Sequence, residues 1–306
     1  MRNAFIDELV LQAATNERIA QIVGDLGYSV VEPFLDKFPE RFINAGVAEQ
    51  NMMGLAAGMA SEGYHVFVYS IANFPTFRCA EQIRNDVAYH KLPVTIVSVG
   101  GGMSYGNLGY SHHAVQDYAL LRIMPNMLIA SPGDPMEVRG CVQYLINNPG
   151  PSYLRLGKAG EKNVHPSVPT IVPGEWLRIN QGEGDGVTCL TTGTTLGHLH
   201  DILNKEKTKI KLYSLPLWGM SFKEIQANKV RNHKHIFTFE DHLLDGGFGS
   251  WLLECMQNNR EYRSRIIINA IGENVTGMVG SEKDLCQIGG LYKDMEEYIR
   301  KIKKNI

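Results

Sequence analysis

The sequence predicts an α/β protein of two domains, with mainly parallel sheets flanked by helices. Three observations lead there. Short β-rich runs alternate with helix-spaced segments along the whole chain, the order that parallel sheets with crossover helices require. A proline- and glycine-bearing stretch, 159–184, separates two such sets. At 306 residues, 44% of them hydrophobic, the chain is long and apolar enough to bury two cores of ordinary size.

The elements follow in order. MRNAFIDELVLQAATNERIA reads as an amphipathic helix with Phe5, Ile6, Leu9, Val10 and Ala13 on one face. VFVYS (66–70) and PVTIVSVG (93–100) read as strands, and FRCAEQIRNDVAYH (77–90) between them has helical spacing. MLIASPGDPMEVRGCVQYLINN gives a strand, a stop and a helix starting near Asp134. There Asp134 caps, Pro135 suits the first helical position and Glu137 completes a capping box. PSYLRL (151–156) closes the first set, so the domains are expected at 1–165 and 185–306, with 166–184 as linker. The second set is VTCLTT (187–192), a helix near 195–204, KIKLYSL (209–215), HIFTFE (235–240), a helix after Gly249, RIIINA (265–270) and the terminal helix LYKDMEEYIRKIKK. No internal repeat or low-complexity tract interrupts this order.

Composition narrows the function. Net charge is −2 and the charges are interspersed, so no basic stripe points to nucleic acid or an anionic membrane surface. No apolar run approaches the ~18 residues of a membrane span, and the N-terminus lacks a signal peptide's apolar core and cleavage site. The five cysteines are widely spaced and form no CxxC pair, as expected of reduced thiols in a cytoplasmic protein.

The strongest chemical signal is RFINAGVAEQNMMGLAAGMASEGYHVFVYS (41–70). A short strand enters a glycine turn, then a helix of small residues with Glu49 in its first turn. The small side chains permit close approach of a backbone or a flat cofactor, and a carboxylate at a helix start gains from the positive end of the helix dipole. Taken alone, these features also describe a capping glutamate on a tightly packed helix. The stretch resembles the pyrimidine-binding domain of the transketolase family, with its G-x-A-E-x-x-M signature at Gly46–Met52. The resemblance implies the thiamine diphosphate pyrimidine-binding fold followed by a transketolase C-terminal domain, and a contact of Glu49 with the aminopyrimidine ring. A carboxylate is needed there because the cofactor's amino group must become an imino base, and a negative charge beside the ring nitrogen stabilises that tautomer.

The same resemblance covers GGGMSYGNLGYSHHAVQDYALLRIMPNMLIASPGDPMEV (100–138). Its glycines do not follow G-x-G-x-x-G, because Tyr105 stands at the last position, and no Walker lysine follows. The segment resembles the family loop that ends in a Ser/Thr-His pair, which implies that His112 contacts donor and acceptor oxygens, with His113 and Asp117 nearby. VGDLG (23–27) resembles the Asp-Leu element beside the cofactor, so Asp25 is a candidate there or caps a turn. ANFPTFR (72–78) stands where an aromatic stacks on the pyrimidine, and the spacing leaves Phe74 and Phe77 both open. Arg155 matches an arginine that binds substrate phosphate in the deoxyxylulose phosphate synthase branch, or forms an ion pair at the strand end.

Family members also need a diphosphate-binding domain in which G-D-G and a later asparagine hold Mg²⁺. The Gly-Asp-Gly at 184–186 opens a strand of the second set, and Asn204 follows too early, so this tripeptide reads as a turn. The resemblance therefore implies a split enzyme: thiamine diphosphate and Mg²⁺ completed by an N-terminal diphosphate-binding subunit, in a heterotetramer built on a pair of these chains. Three functions fit: transfer of a two-carbon ketol unit between sugars or sugar phosphates, a beta subunit of a two-chain 2-ketoacid dehydrogenase, or a non-catalytic scaffold. One departure bears on substrate. Where the family's ketose-phosphate enzymes read Asp-Gly-Pro-Thr-His, this chain has Leu108, Gly109, Tyr110, Ser111 and His112, with Asn107 one position out of register. An unusual sugar, deoxy, branched or sulfonated, is expected.

Overall fold

The computed structural model describes residues 1–182, 186–257 and 264–304. The strands are, in chain order, β1 (Ile19–Val23), β2 (Phe42–Asn44), β3 (His65–Ile71), β4 (Val94–Val99), β5 (Leu128–Ala130) and β6 (Ser152–Leu156). They continue with β7 (Leu177–Arg178), β8 (Val187–Thr191), β9 (Lys211–Ser214), β10 (Leu217–Gly219), β11 (His235–Leu243) and β12 (Arg265–Ile271). The first sheet runs β10-β5-β6-β4-β3-β1-β2, the second β12-β11-β8-β9-β7. All pairings are parallel except β10 with β5 and β7 with β9.

Helices cover both faces of the first sheet, so β1, β4 and β6 are buried at every position. On one face Phe5, Ile6 and Leu9 of the N-terminal helix (Arg2–Ala13) join Val138, Val142 and Leu145 of the helix Pro135–Asn147 over Phe67, Val97 and Val99. On the other face Met52, Met53, Ala56 and Ala57 of the helix Glu49–Ser61 pack over Ile22, Val68 and Ile96. Trp218, Phe248 and Trp251 belong to that same core, so the two halves of the chain share apolar packing.

The structure departs from the sequence reading at four places. The segment 77–90 is helical, but not as one α-helix: an α-helical turn, Ala80–Gln82, runs on into a π-helical stretch, Ile83–Ala88. The expected linker contains β7, which pairs with β9. β10 was not foreseen, because three residues show no period. Its Leu217 and Trp218 enter opposite cores of the first sheet, and its antiparallel pairing covers the β5 edge. The capping at Asp134 is half as expected. Asp134 accepts from the Glu137 amide (2.7 Å), but Glu137 reaches past the cap to the Gly133 amide (2.6 Å) and accepts from Ser214 of β9 (3.0 Å). Gly184 and Asp185 of the Gly-Asp-Gly tripeptide lie outside the described residues.

One buried cation joins the two sheets. Arg155, on β6 and 2% exposed, is fully used: Nε donates to Asp117 (2.6 Å), Nη1 to Asp241 (2.5 Å) and the Tyr118 hydroxyl (3.2 Å). Its Nη2 donates to the carbonyls of Ala114 (2.7 Å) and Asp241 (3.1 Å). Asp241 lies on β11 of the second sheet, and also accepts from Thr194 (2.8 Å). These five bonds occupy all five guanidinium N–H groups. Of the two alternatives for Arg155, the structure shows the ion pair at the strand end: every N–H is used, and the side chain is enclosed. Its partners hold the guanidinium charged, well above the ordinary range against the cost of burial.

Replacing Arg155 with Met would leave two buried carboxylates without their cation. Removing one partner of a buried ion pair costs about 3–5 kcal/mol. Urea unfolding of Arg155→Met at neutral pH checks this; a loss below about 1 kcal/mol would contradict the network's role.

Candidate active site

In open parallel sheets, ligands bind outside the carboxyl ends of the strands, where the strand order reverses. Here the order reverses at β1 and β3, and the singled-out residues follow the strand ends: Asp25 after β1, Glu49 after β2, Phe74 after β3, His112 after β4.

Glu49 is the first residue of its helix, with its side chain 5% exposed. Its Oε1 accepts from Arg78 Nη1 at 2.7 Å. The Arg78 guanidinium lies over the Phe74 ring, 4.1 Å from its centroid. Phe74 in turn meets the His112 ring edge-to-face, with centroids 5.3 Å apart. One continuous set of contacts, Glu49–Arg78–Phe74–His112, therefore links residues from three loops.

The loop that carries His112 is held from below. Asn73 Nδ2 donates to the carbonyls of Ser111 (3.2 Å) and His113 (2.9 Å), which bracket His112. Ser111 Oγ stands 3.0 Å from His112 Nδ1, and the Tyr105 ring lies 6.3 Å from the His112 ring. Burial, then the charges of His113 and Arg78, holds the His112 imidazole below its ordinary pKa, so it is neutral at pH 7. Gly101 and Gly102 exist for close packing: a Cβ on Gly101 would sit 2.7 Å from the Arg155 guanidinium carbon. One on Gly102, at φ +65°, would overlap the Asp241 carboxylate.

The remaining candidates fall in different places. His113 is 1% exposed and turned inward, its Nε2 3.3 Å from the Gly106 carbonyl, so the structure does not bring it to the opening. Phe77, at the other end of the same short helix, is 46% exposed and takes no part in the Phe74–His112 ring contact. Asp25 is exposed at φ +55° and exchanges two hydrogen bonds with Asn44. Asn44 Oδ1 also accepts from the Gly46 amide (3.0 Å), coupling Asp25 to the turn that starts the Glu49 helix. Sequence reading missed Arg78, Asn73 and Asn44. For Arg78 a signal was present: it stands four residues after Phe74, the spacing at which helical side chains meet.

Asn73→Leu should free the His112 loop by removing both clamping donors, at about 1–2 kcal/mol of stability. Hydrogen exchange over residues 106–113 checks it: faster exchange there, with the β3 and β4 amides unchanged, is expected.

The comparisons with known proteins agree with this architecture. The family described as transketolase, pyrimidine binding domain, matches residues 1–160. The chain is 31% identical over 271 residues to one subunit of the apulose-4-phosphate transketolase of Phocaeicola vulgatus, covering 84% of each chain. It is 30% identical over 302 residues to a Methanocaldococcus jannaschii protein described as a transketolase C-terminal section, covering 95% of this chain and 92% of that one. Among solved structures, a split-gene transketolase in the form of an inactive beta4 tetramer superposes with a TM-score of 0.81 at 29% identity, covering 98% of this chain and 96% of that one. The chain belongs to the transketolase family and corresponds to the C-terminal section of such an enzyme.

Proposed function

We propose that this chain is the C-terminal subunit of a two-chain, thiamine diphosphate-dependent enzyme that transfers a two-carbon ketol unit between sugar phosphates. The observation that carries the reading is the contact set Glu49–Arg78–Phe74–His112 at the reversal point of the first sheet. A buried carboxylate beside an aromatic face suits a flat, nitrogen-rich ring, and the donor set fits the aminopyrimidine of thiamine diphosphate. That cofactor, when bound, supplies the electron sink for breaking and making a bond beside a carbonyl.

The chain's own residues then have distinct tasks. Glu49 accepts a hydrogen bond from a ring N–H and holds negative charge next to it, at the positive end of its helix. Phe74 offers the stacking face, and Phe77 is the further candidate. Asp25 shapes the turn beside the cofactor through Asn44. His112, neutral at pH 7 with Nδ1 engaged by Ser111, presents Nε2 to substrate oxygens. Mg²⁺ and the diphosphate are assigned to an N-terminal, diphosphate-binding partner chain. Residues 1–165 serve as the pyrimidine-binding domain, 166–184 as linker and 185–306 as the C-terminal domain.

Assembly is proposed as a heterotetramer around a pair of these chains. The helix Glu49–Ser61 supports it. Gly54 and Gly58 sit on its exposed face, and a Cβ at either would meet nothing within 4 Å. Exposed glycine costs a helix about 1 kcal/mol relative to alanine, and no contact among the described residues offsets that; a neighbouring backbone approaching closely would. Val47, in the turn before this helix, is 72% exposed. The relative solved as an inactive beta4 tetramer supports dependence on a second chain. Cytoplasmic location is proposed from five unpaired cysteines; among the described residues no helix is long and apolar enough to cross a membrane.

For substrate, we propose a sugar phosphate whose recognition needs no carboxylate at position 108, where Leu108 is 51% exposed. Relatives from Phocaeicola vulgatus and Actinobacillus succinogenes are named for apulose 4-phosphate, which favours a phosphorylated sugar of that kind.

Purified alone, the chain is expected to bind thiamine diphosphate weakly and to show no transferase activity. Mixing with a chain that carries the G-D-G…N element should restore both, and full activity of the isolated chain would overturn the split-enzyme reading. In the assembled enzyme, Glu49→Gln should lower turnover by about 10²–10⁴ while weakening cofactor binding far less. Hydrogen–deuterium exchange at the thiazolium carbon reads this directly; an unchanged rate in the variant rules the role out.

A further inference from the structure

We infer that Arg78 is a positioning residue that stands in for the cofactor's aminopyrimidine ring in the free chain and gives up its place when the ring binds. The inference rests on the functional reading above and adds a residue to it. Its basis is a coincidence of two contacts on one side chain. The guanidinium is planar and carries N–H donors, as an aminopyrimidine does. It makes at once the two contacts the ring would need, a hydrogen bond to the Glu49 carboxylate (2.7 Å) and a face-on approach to Phe74 (4.1 Å to the centroid).

The surroundings favour exchange over permanence. Glu49 is 5% exposed, and a buried carboxylate left alone is costly, so the free chain needs a cation there. The Arg78 side chain is 47% exposed, and among the described residues Glu49 is that side chain's one hydrogen-bond partner. Contrast Arg155, whose five donors are all used and whose side chain is 2% exposed. One arginine is built in; the other is held by a single hydrogen bond and a ring face, on a stem free to swing into solvent. Placed so, Arg78 keeps Glu49 and Phe74 apart and oriented while the site waits. It also competes with the ring for them.

A binding-competent state that is only partly populated raises the apparent Kd by the inverse of its fraction. Removing the competitor should therefore tighten binding, whereas removing a supporting contact would weaken it. The test is titration of thiamine diphosphate, with Mg²⁺ present, into the complex of this chain with its diphosphate-binding partner, read by intrinsic fluorescence. Arg78→Ala should bind about fivefold tighter or more than the unchanged complex. Arg78→Gln, which keeps the stem and one donor to Glu49, should fall between. In the chain alone, Arg78→Ala should lower the thermal midpoint, and adding Glu49→Gln should recover part of the loss, because the uncompensated charge is gone. Equal or weaker cofactor affinity in Arg78→Ala, or a midpoint that does not move, overturns the inference while leaving the functional reading in place. Failure of the unchanged complex to take up thiamine diphosphate overturns both.

Discussion

The Arg155 guanidinium ties together three parts of the chain that are far apart in sequence. Strand β6 supplies it, the segment between β4 and β5 supplies the Ala114 carbonyl and Asp117, the latter at a helix start, and β11 of the second sheet supplies Asp241. A buried ion pair is not by itself a large source of stability, since desolvation offsets much of the attraction. Its value here is in specification: with every donor used, the geometry admits one arrangement of the three parts. The glycines at 101 and 102 make that arrangement possible, because any side chain would collide with Arg155 or Asp241. The loop carrying His112 is thus clamped at one end by the buried cation and at its tip by Asn73.

From that constraint the site follows. Parallel strands deliver their loops to one edge of the first sheet, beside the reversal of strand order at β1 and β3, the place where open sheets of this kind bind ligands. Glu49 enters it from the β2 side, His112 from the β4 side, and Phe74 with Arg78 lies between them. Charge is matched to position. The carboxylate sits at a helix start, while the imidazole is kept neutral by burial and by its neighbours His113 and Arg78. Arg78, beside Glu49, is 47% exposed, and Gly54 and Gly58 lie on the exposed face of the Glu49 helix.

Much of this was legible in the sequence, for identifiable reasons. Long strands such as β4 announce themselves through runs of β-branched residues, and the Asp134-Pro135 helix start through its capping chemistry. Glu49 and His112 stood out as candidates because each sits in a distinctive local pattern. What was hidden depends on tertiary contact. β10 has three residues and exists only because Leu217 and Trp218 each find a core on opposite faces of a sheet. The same holds for Glu137, whose carboxylate is drawn past its expected cap by Ser214 of the second sheet. Arg155 and His113 were candidates by resemblance, and only the structure shows their neighbours: two aspartates enclose the first, and the Gly106 carbonyl lies 3.3 Å from the second. Local pattern identifies a residue's type and element, while burial and partners decide which side of the sheet its chemistry serves.

The central claim is that Glu49, Phe74 and His112 face one cofactor completed by a second chain. The measurement that tests it most directly is a crystal structure of the two-chain complex grown with thiamine diphosphate and Mg²⁺. The expected result is an aminopyrimidine within hydrogen-bond distance of the Glu49 carboxylate and stacked on Phe74, with His112 over the thiazolium end and the diphosphate held by the partner. A cofactor bound wholly within either chain, or one that leaves Glu49 without contact to the ring, would contradict it.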